Sequence, residues 1–137
     1  MKLKALLVAI LLLPAYFTSF SMAAETKKTA SVDRRMIQQS DVAGTDEELV
    51  LMLVTFPPGA ESPPHLHPVV GLNYVIEGSV DSQYEGKPLE HFKAGDSYKD
   101  LAGPKHLIFR NPSTTLALKF LIAYKIKKGV PFKKDIE

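Results

Sequence analysis

Proline and glycine divide this chain into apolar runs that are too short for most helices. The best defined run extends from Leu49 to Phe56 and ends at Pro57-Pro58-Gly59. A run of about eight residues between turn signals is typical of a buried strand. Further short runs follow at intervals of roughly 8–12 residues, which favours a β-sandwich or a barrel over a helical protein. An edge strand, Arg34–Ala43, is predicted before Leu49. The strands predicted after Phe56 are Val69–Glu77, Ser79–Tyr84, Leu89–Phe92, Ser97–Leu101, His106–Arg110 and Leu116–Ile126.

The first 23 residues have the layout of a secretory signal peptide. Lys2 and Lys4 precede an apolar run, and the small residues Ser21 and Ala23 occupy positions −3 and −1 of a cleavage site. The alternative is a membrane anchor formed by the same run, which Pro14 and the polar residues after it weaken. We therefore expect cleavage, export to the periplasm or secretion, and no stable membrane anchor.

The rest of the chain has the size of one domain. Removing 23 of the 137 residues leaves 114, which we divide into a flexible lead-in (24–33), a β-barrel (34–130) and a basic C-terminal tail (131–137). The formal charge of +2 is too small to indicate nucleic-acid binding, and removal of the two lysines of the signal peptide makes the mature chain neutral. The absence of cysteine excludes disulfides and thiolate metal sites.

Two of the four histidines stand one residue apart, at His65 and His67. If the segment is a strand, both side chains point to the same face, where two imidazoles can bind one metal ion. Pro63 and Pro64 stiffen the chain before them and lower the entropy lost on ordering such a site. The alternative is a pair of surface histidines on a loop.

The surroundings of these histidines resemble the first conserved motif of the cupin superfamily. Five residues separate Gly59 from His65-Leu66-His67, and ten residues separate His67 from Gly78. The segment from Gly95 to Asn111 is similar to the second cupin motif, with Gly103-Pro104 and His106 between its ends. The resemblance runs from about Arg34 to Val130 and implies an all-β fold, an antiparallel jelly-roll barrel.

The resemblance also implies a metal site inside the barrel. It identifies His65, His67 and His106 as ligands, whereas the usual cupin glutamate is replaced by Gly71. Three nitrogen ligands suit iron, zinc, nickel or copper in the divalent state. The absence of this glutamate is consistent with three alternatives. The site is a true three-histidine centre, or water or substrate fills the position left by Gly71, or the metal site is degraded. Asn73 and Tyr98 are the candidate substrate-binding residues.

Two classes of function follow from this resemblance. One is a metal-dependent enzyme, a dioxygenase or isomerase that acts on a small organic molecule. The other is a non-enzymatic barrel that binds or senses a small molecule and whose metal site is degraded. Cupins often dimerise, so a homodimer is a further expectation.

Overall fold

The computed structural model describes residues 31–136, and the predicted signal peptide (1–23) lies outside this range. Within it the chain forms ten strands and no helix, and hence no helix that could cross a membrane. The strands are β1 (Asp33–Asp41), β2 (Glu47–Phe56), β3 (His65–Leu66), β4 (Gly71–Glu77), β5 (Ser79–Tyr84), β6 (Glu90–Lys93), β7 (Ser97–Asp100), β8 (His106–Arg110), β9 (Leu118–Lys127) and β10 (Lys134–Asp135).

The strands form two five-stranded antiparallel sheets. The first sheet has the order β1-β2-β9-β4-β7, and the second has the order β10-β3-β8-β5-β6. Neighbours in each sheet are mostly distant in sequence, so the chain crosses repeatedly between the two sheets. This arrangement confirms the predicted all-β class and the antiparallel jelly-roll barrel.

The core lies between the two sheets. Alternate residues of β2 point inwards, and Val50, Val54 and Phe56 are buried there. β9 pairs with β2 along ten residues and adds Phe120 to the same core, while Phe109 of β8 contributes from the opposite sheet. One end of this interior is left less densely filled and becomes the cavity described below.

The end of the chain, predicted as a basic tail, is attached to the second sheet. β10 pairs with β3, and the backbone N–H of Ile136 donates to the carbonyl of Pro64 at 2.9 Å. The reason is Phe132, whose ring stacks on Tyr124 with centroids 4.1 Å apart. This apolar contact holds the segment 131–136 against the barrel, although two lysines directly follow Phe132.

Candidate metal centre

Three buried histidines meet on the inner face of the second sheet. His65 of β3 and His106 of β8 are direct partners in the strand register, and His67 lies just beyond β3. Each ring offers one nitrogen, and these three atoms lie within 4.8 Å of one another. The structure thus brings together the three residues that the sequence identified as metal ligands.

Backbone carbonyls fix the orientation of two of the rings. Nδ1 of His65 donates to the carbonyl of Pro63 at 2.7 Å, and Nδ1 of His67 donates to that of Phe132 at 3.0 Å. Both Nε2 atoms then carry a lone pair, and they lie only 3.1 Å apart. Two lone pairs at this distance repel each other unless a metal ion or a proton lies between them. Such backbone hydrogen bonds are the usual support of histidines that bind metals.

His106 has one nitrogen without a partner. Its Nε2 is hydrogen-bonded to the hydroxyl of Ser82 at 2.8 Å, and its ring stacks on Tyr84. Nδ1 is buried and has no hydrogen-bond partner among the described residues. Because buried polar atoms are nearly always satisfied, this orphaned nitrogen fits a metal ligand.

Burial keeps two of these imidazoles in the neutral form that binds metals. Desolvation lowers the pKa of His65 to about 4, although its hydrogen bond to Pro63 acts in the opposite direction. Desolvation, followed by the nearby charges of His65 and His67, lowers the pKa of His106 to about 3. Neither side chain therefore needs to lose a proton at neutral pH before it can bind a cation.

The acidic residue of the site is Asp100, which the sequence analysis missed. Asp100 of β7 is the direct register partner of Gly71 in β4, so its carboxylate stands beside the position where cupins usually carry glutamate. It is buried, and Oδ1 lies 4.0 Å from Nε2 of His67. Asn73 Nδ2 and the Tyr84 hydroxyl donate to its two oxygens at 3.0 and 3.2 Å. Burial raises the pKa of this carboxyl, while His67 and the two donors act to lower it.

The sequence carried one sign of this role. Asp100 is two residues from the buried Tyr98, and so points to the interior if both lie on one strand. Nothing in the sequence, however, shows which residue of β4 faces Asp100, because that depends on the register between strands that are distant in the chain.

A side chain at Gly71 would have to displace the side chains around it. A Cβ atom built there would lie 2.8 Å from Phe132 Cζ, 2.9 Å from Ile122 Cδ1 and 3.0 Å from Asp100 Oδ2. Phe132 and Asp100 therefore occupy the space that a side chain at this position would need.

A Gly71→Glu substitution is accordingly expected to destabilise the protein rather than to restore a ligand. Overpacking of this kind costs about 1–3 kcal/mol in the free energy of unfolding, which urea denaturation measures. Leu72→Glu is the matched control: Leu72 is an exposed neighbour on β4, and we expect a change within about 0.5 kcal/mol. A Gly71→Glu variant as stable as the wild type would contradict the close packing described here.

The histidines and Asp100 line one cavity of about 230 Å³ between the sheets. Most of its wall is apolar and aromatic, and two cationic side chains, Arg34 and Lys133, complete it. The apolar part of the wall consists of Met52, Val54, Phe56, Phe109, Phe120, Ile122, Tyr124 and Phe132.

The other residues considered in the sequence lie outside this cavity. Asn73 is buried and reaches the site only through its hydrogen bond to Asp100. Tyr98 stacks on Phe92 and, together with Ser82, lines a second cavity. His91 is exposed and bonded to Asp81 at 2.8 Å, away from the three clustered histidines.

Solved structures with the same architecture are similar to this chain at low identity. Polyketide cyclase RemF from Streptomyces resistomycificus is 20% identical, with a TM-score of 0.60 over 77% of this chain and 71% of that one. An uncharacterised conserved protein with a double-stranded beta-helix domain from Klebsiella pneumoniae is also 20% identical, with a TM-score of 0.58 over 77% and 84%. DMSP lyase DddQ from Ruegeria pomeroyi DSS-3 is 20% identical, with a TM-score of 0.56 over 74% of this chain and 51% of that one. At these identities the similarity concerns the fold.

Sequence comparison identifies the family. No curated protein matches this chain. The Cupin domain family matches residues 52–124, which include all three clustered histidines and Asp100 and make up more than half of the chain. Together with the two antiparallel sheets, this match confirms the resemblance seen in the sequence motifs. The chain belongs to the cupin family.

Proposed function

We propose that this cupin is a metal-dependent enzyme that acts on a small organic molecule. In this proposal His65, His67 and His106 hold one divalent transition metal ion. The observation that carries it is the convergence of three buried imidazoles, one of which has an unpartnered nitrogen. A barrel that had lost its metal site would have no reason to keep this arrangement, because unsatisfied buried nitrogens cost stability.

The donor set suits iron, zinc, nickel or copper, since imidazole nitrogen is a common ligand for all four. A bound ion would supply Lewis-acid chemistry that polarises the substrate. Three protein ligands leave open coordination positions for this purpose.

The protein's own groups prepare the site in three ways. The carbonyls of Pro63 and Phe132 hold two imidazoles in fixed orientations, and thereby lower the entropy lost when an ion binds. Asp100 would bring a negative charge close to a bound cation, and hydrogen bonds from Asn73 and Tyr84 hold its carboxylate in place. The apolar wall excludes water, which strengthens these electrostatic interactions.

For the reaction at such a centre we propose dioxygenase or isomerase chemistry. The alternative is a non-enzymatic barrel that binds or senses a small molecule, and the glycine at position 71 favours it. Asp100 weakens this alternative, because it supplies a carboxylate next to the position that Gly71 leaves empty. The layout of residues 1–23 supports the further proposal that the protein acts in the periplasm or after secretion.

Metal reconstitution of the mature protein tests this proposal. Protein purified from its native host, in which intact mass also shows whether the chain starts at Ala24, is stripped with a chelator and reloaded separately with each of the four metals. Elemental analysis should find one ion per chain, and an ion at 100 times its Kd should add about 2.7 kcal/mol to stability. Oxygen uptake with candidate substrates then separates a dioxygenase from an isomerase. Loading of less than about a tenth of the chains by every metal would refute the metal centre.

A further inference from the structure

We propose that the ligand of this cavity is a small organic anion, and that Arg34 and Lys133 bind its carboxylate. The inference concerns the same cavity as the proposed enzyme and so deepens that function. It rests, however, on charged side chains that belong neither to the three histidines nor to the cupin motifs.

Arg34 reaches the cavity from the edge of the first sheet. In β1 it is the register partner of Val54, which is buried in the core, and it lines the cavity near the barrel end. Among residues 31–136 its guanidinium forms no salt bridge and donates no side-chain hydrogen bond. A guanidinium presents paired N–H groups that match both oxygens of a carboxylate, so Arg34 has the chemistry to bind one.

Lys133 adds a second cation from the C-terminal segment. It lines the same cavity, and its charge is near enough to His65 to lower the pKa of that ring. Its ammonium is bonded to the carboxylate of Asp135, a largely exposed side chain that does not line the cavity. Lys133 is therefore partly neutralised, whereas Arg34 forms no ion pair with Asp135 and lies only near enough to lower the pKa of that carboxyl.

The balance of charge around the cavity favours an anion. Asp100 is the only acidic residue of the described lining, and it faces two cationic side chains and a site suited to a divalent ion. The lining thus has a surplus of positive charge beside mostly apolar walls, and Arg34 contributes its share from an exposed position on β1. A neutral ligand would leave this surplus without a partner.

The size and the wall of the cavity restrict the body of the anion. At about 30 Å³ for each water-sized group, 230 Å³ holds roughly eight such groups. Phe56, Phe109 and Phe120 offer an apolar surface for the part of the ligand that is not charged. The class that fits is a short-chain or single-ring carboxylate.

Binding of carboxylates and of their uncharged counterparts tests this inference. Butyrate and benzoate are compared with butyramide and benzamide by calorimetry on the full mature chain, in both metal-free and zinc-loaded form. We expect at least one acid to bind about tenfold more tightly than its amide. Arg34→Gln should weaken the binding of that acid roughly 10–100-fold, the loss typical of one hydrogen bond to a charged group.

Arg35→Gln is the matched control. Arg35 is the next residue on β1 and does not line the cavity, so its substitution should leave acid binding unchanged. Amides that bind as well as acids, the same loss in both arginine variants, or no binding of either acid would overturn the proposal. Acid binding that depends on Arg34 in protein that takes up no metal would support the anion site and refute only the metal centre.

Discussion

Replacing His106 with leucine is expected to lower the affinity for zinc or cobalt(II) by more than about 100-fold. Loss of a group that only supports a metal ligand already costs 10–100-fold, and His106 offers one of the three converging nitrogens itself. Leucine also removes the unpartnered Nδ1, so the variant should still fold. Competition with a chromophoric chelator measures the affinity, and circular dichroism verifies the fold.

The loss of metal affinity in His106→Leu is compared with that in two further variants. His91→Leu removes an exposed histidine outside the cluster and should leave affinity unchanged. Asp100→Asn keeps the size of the side chain but removes its charge near His67, and we expect a loss of about 10–100-fold. The three-histidine centre would be wrong if His106→Leu bound metal as tightly as the wild type, or if His91→Leu lost as much affinity.

Stability of the metal-free protein should fall steeply below pH 6.5. His65 and His106 have pKa values of about 4 and about 3 in the folded chain, against 6.5 when unfolded. Between these values the unfolded state binds protons that the folded state does not, so acid favours unfolding. Their stabilising contribution is complete above pH 6.5. Each histidine then removes up to roughly 1.4 kcal/mol per pH unit, until the pH reaches its folded pKa.

Urea denaturation between pH 7.5 and 4.5, with a chelator present, measures this dependence. Other groups also titrate in acid, so the informative quantity is the difference between the wild type and His106→Leu. The variant should show a slope shallower by about 1 kcal/mol per pH unit, because it lacks one of the two buried imidazoles. Equal slopes would mean that His106 gains protons as readily in the folded chain as in the unfolded one.

The strands were largely predictable because turn residues mark their ends. The prediction for β5 matches the structure at both ends, and so does that for β8, since Gly78 and Asn111-Pro112 end the apolar runs beside them. β9 begins two residues later than predicted, because an apolar side chain such as Leu116 can also lie in an exposed turn. Eight of the ten strands were predicted, and the two that were missed, β3 and β10, have only two residues each.

The site was predictable only where its residues are close in sequence or belong to a motif. His65 and His67 are recognisable from their spacing, and His106 from the second cupin motif. Asp100 and Arg34 are not, because their places depend on strand register and on contacts between distant segments. The same reason explains why the sequence did not predict the pairing of β10 with β3.

The way in which β10 is attached has a consequence for how ligands enter. It has only two residues, and it joins the sheet through β3, which is equally short. Edge elements of this size open locally at a free energy far below that of global unfolding. Because Phe132 and Lys133 form part of the cavity wall, detachment of β10 would admit solvent and ligand while the other strands of both sheets stay paired. The carbonyl of Phe132 also orients His67. The entry of a small molecule into the cavity and the orientation of a metal-binding histidine therefore depend on the same few backbone contacts.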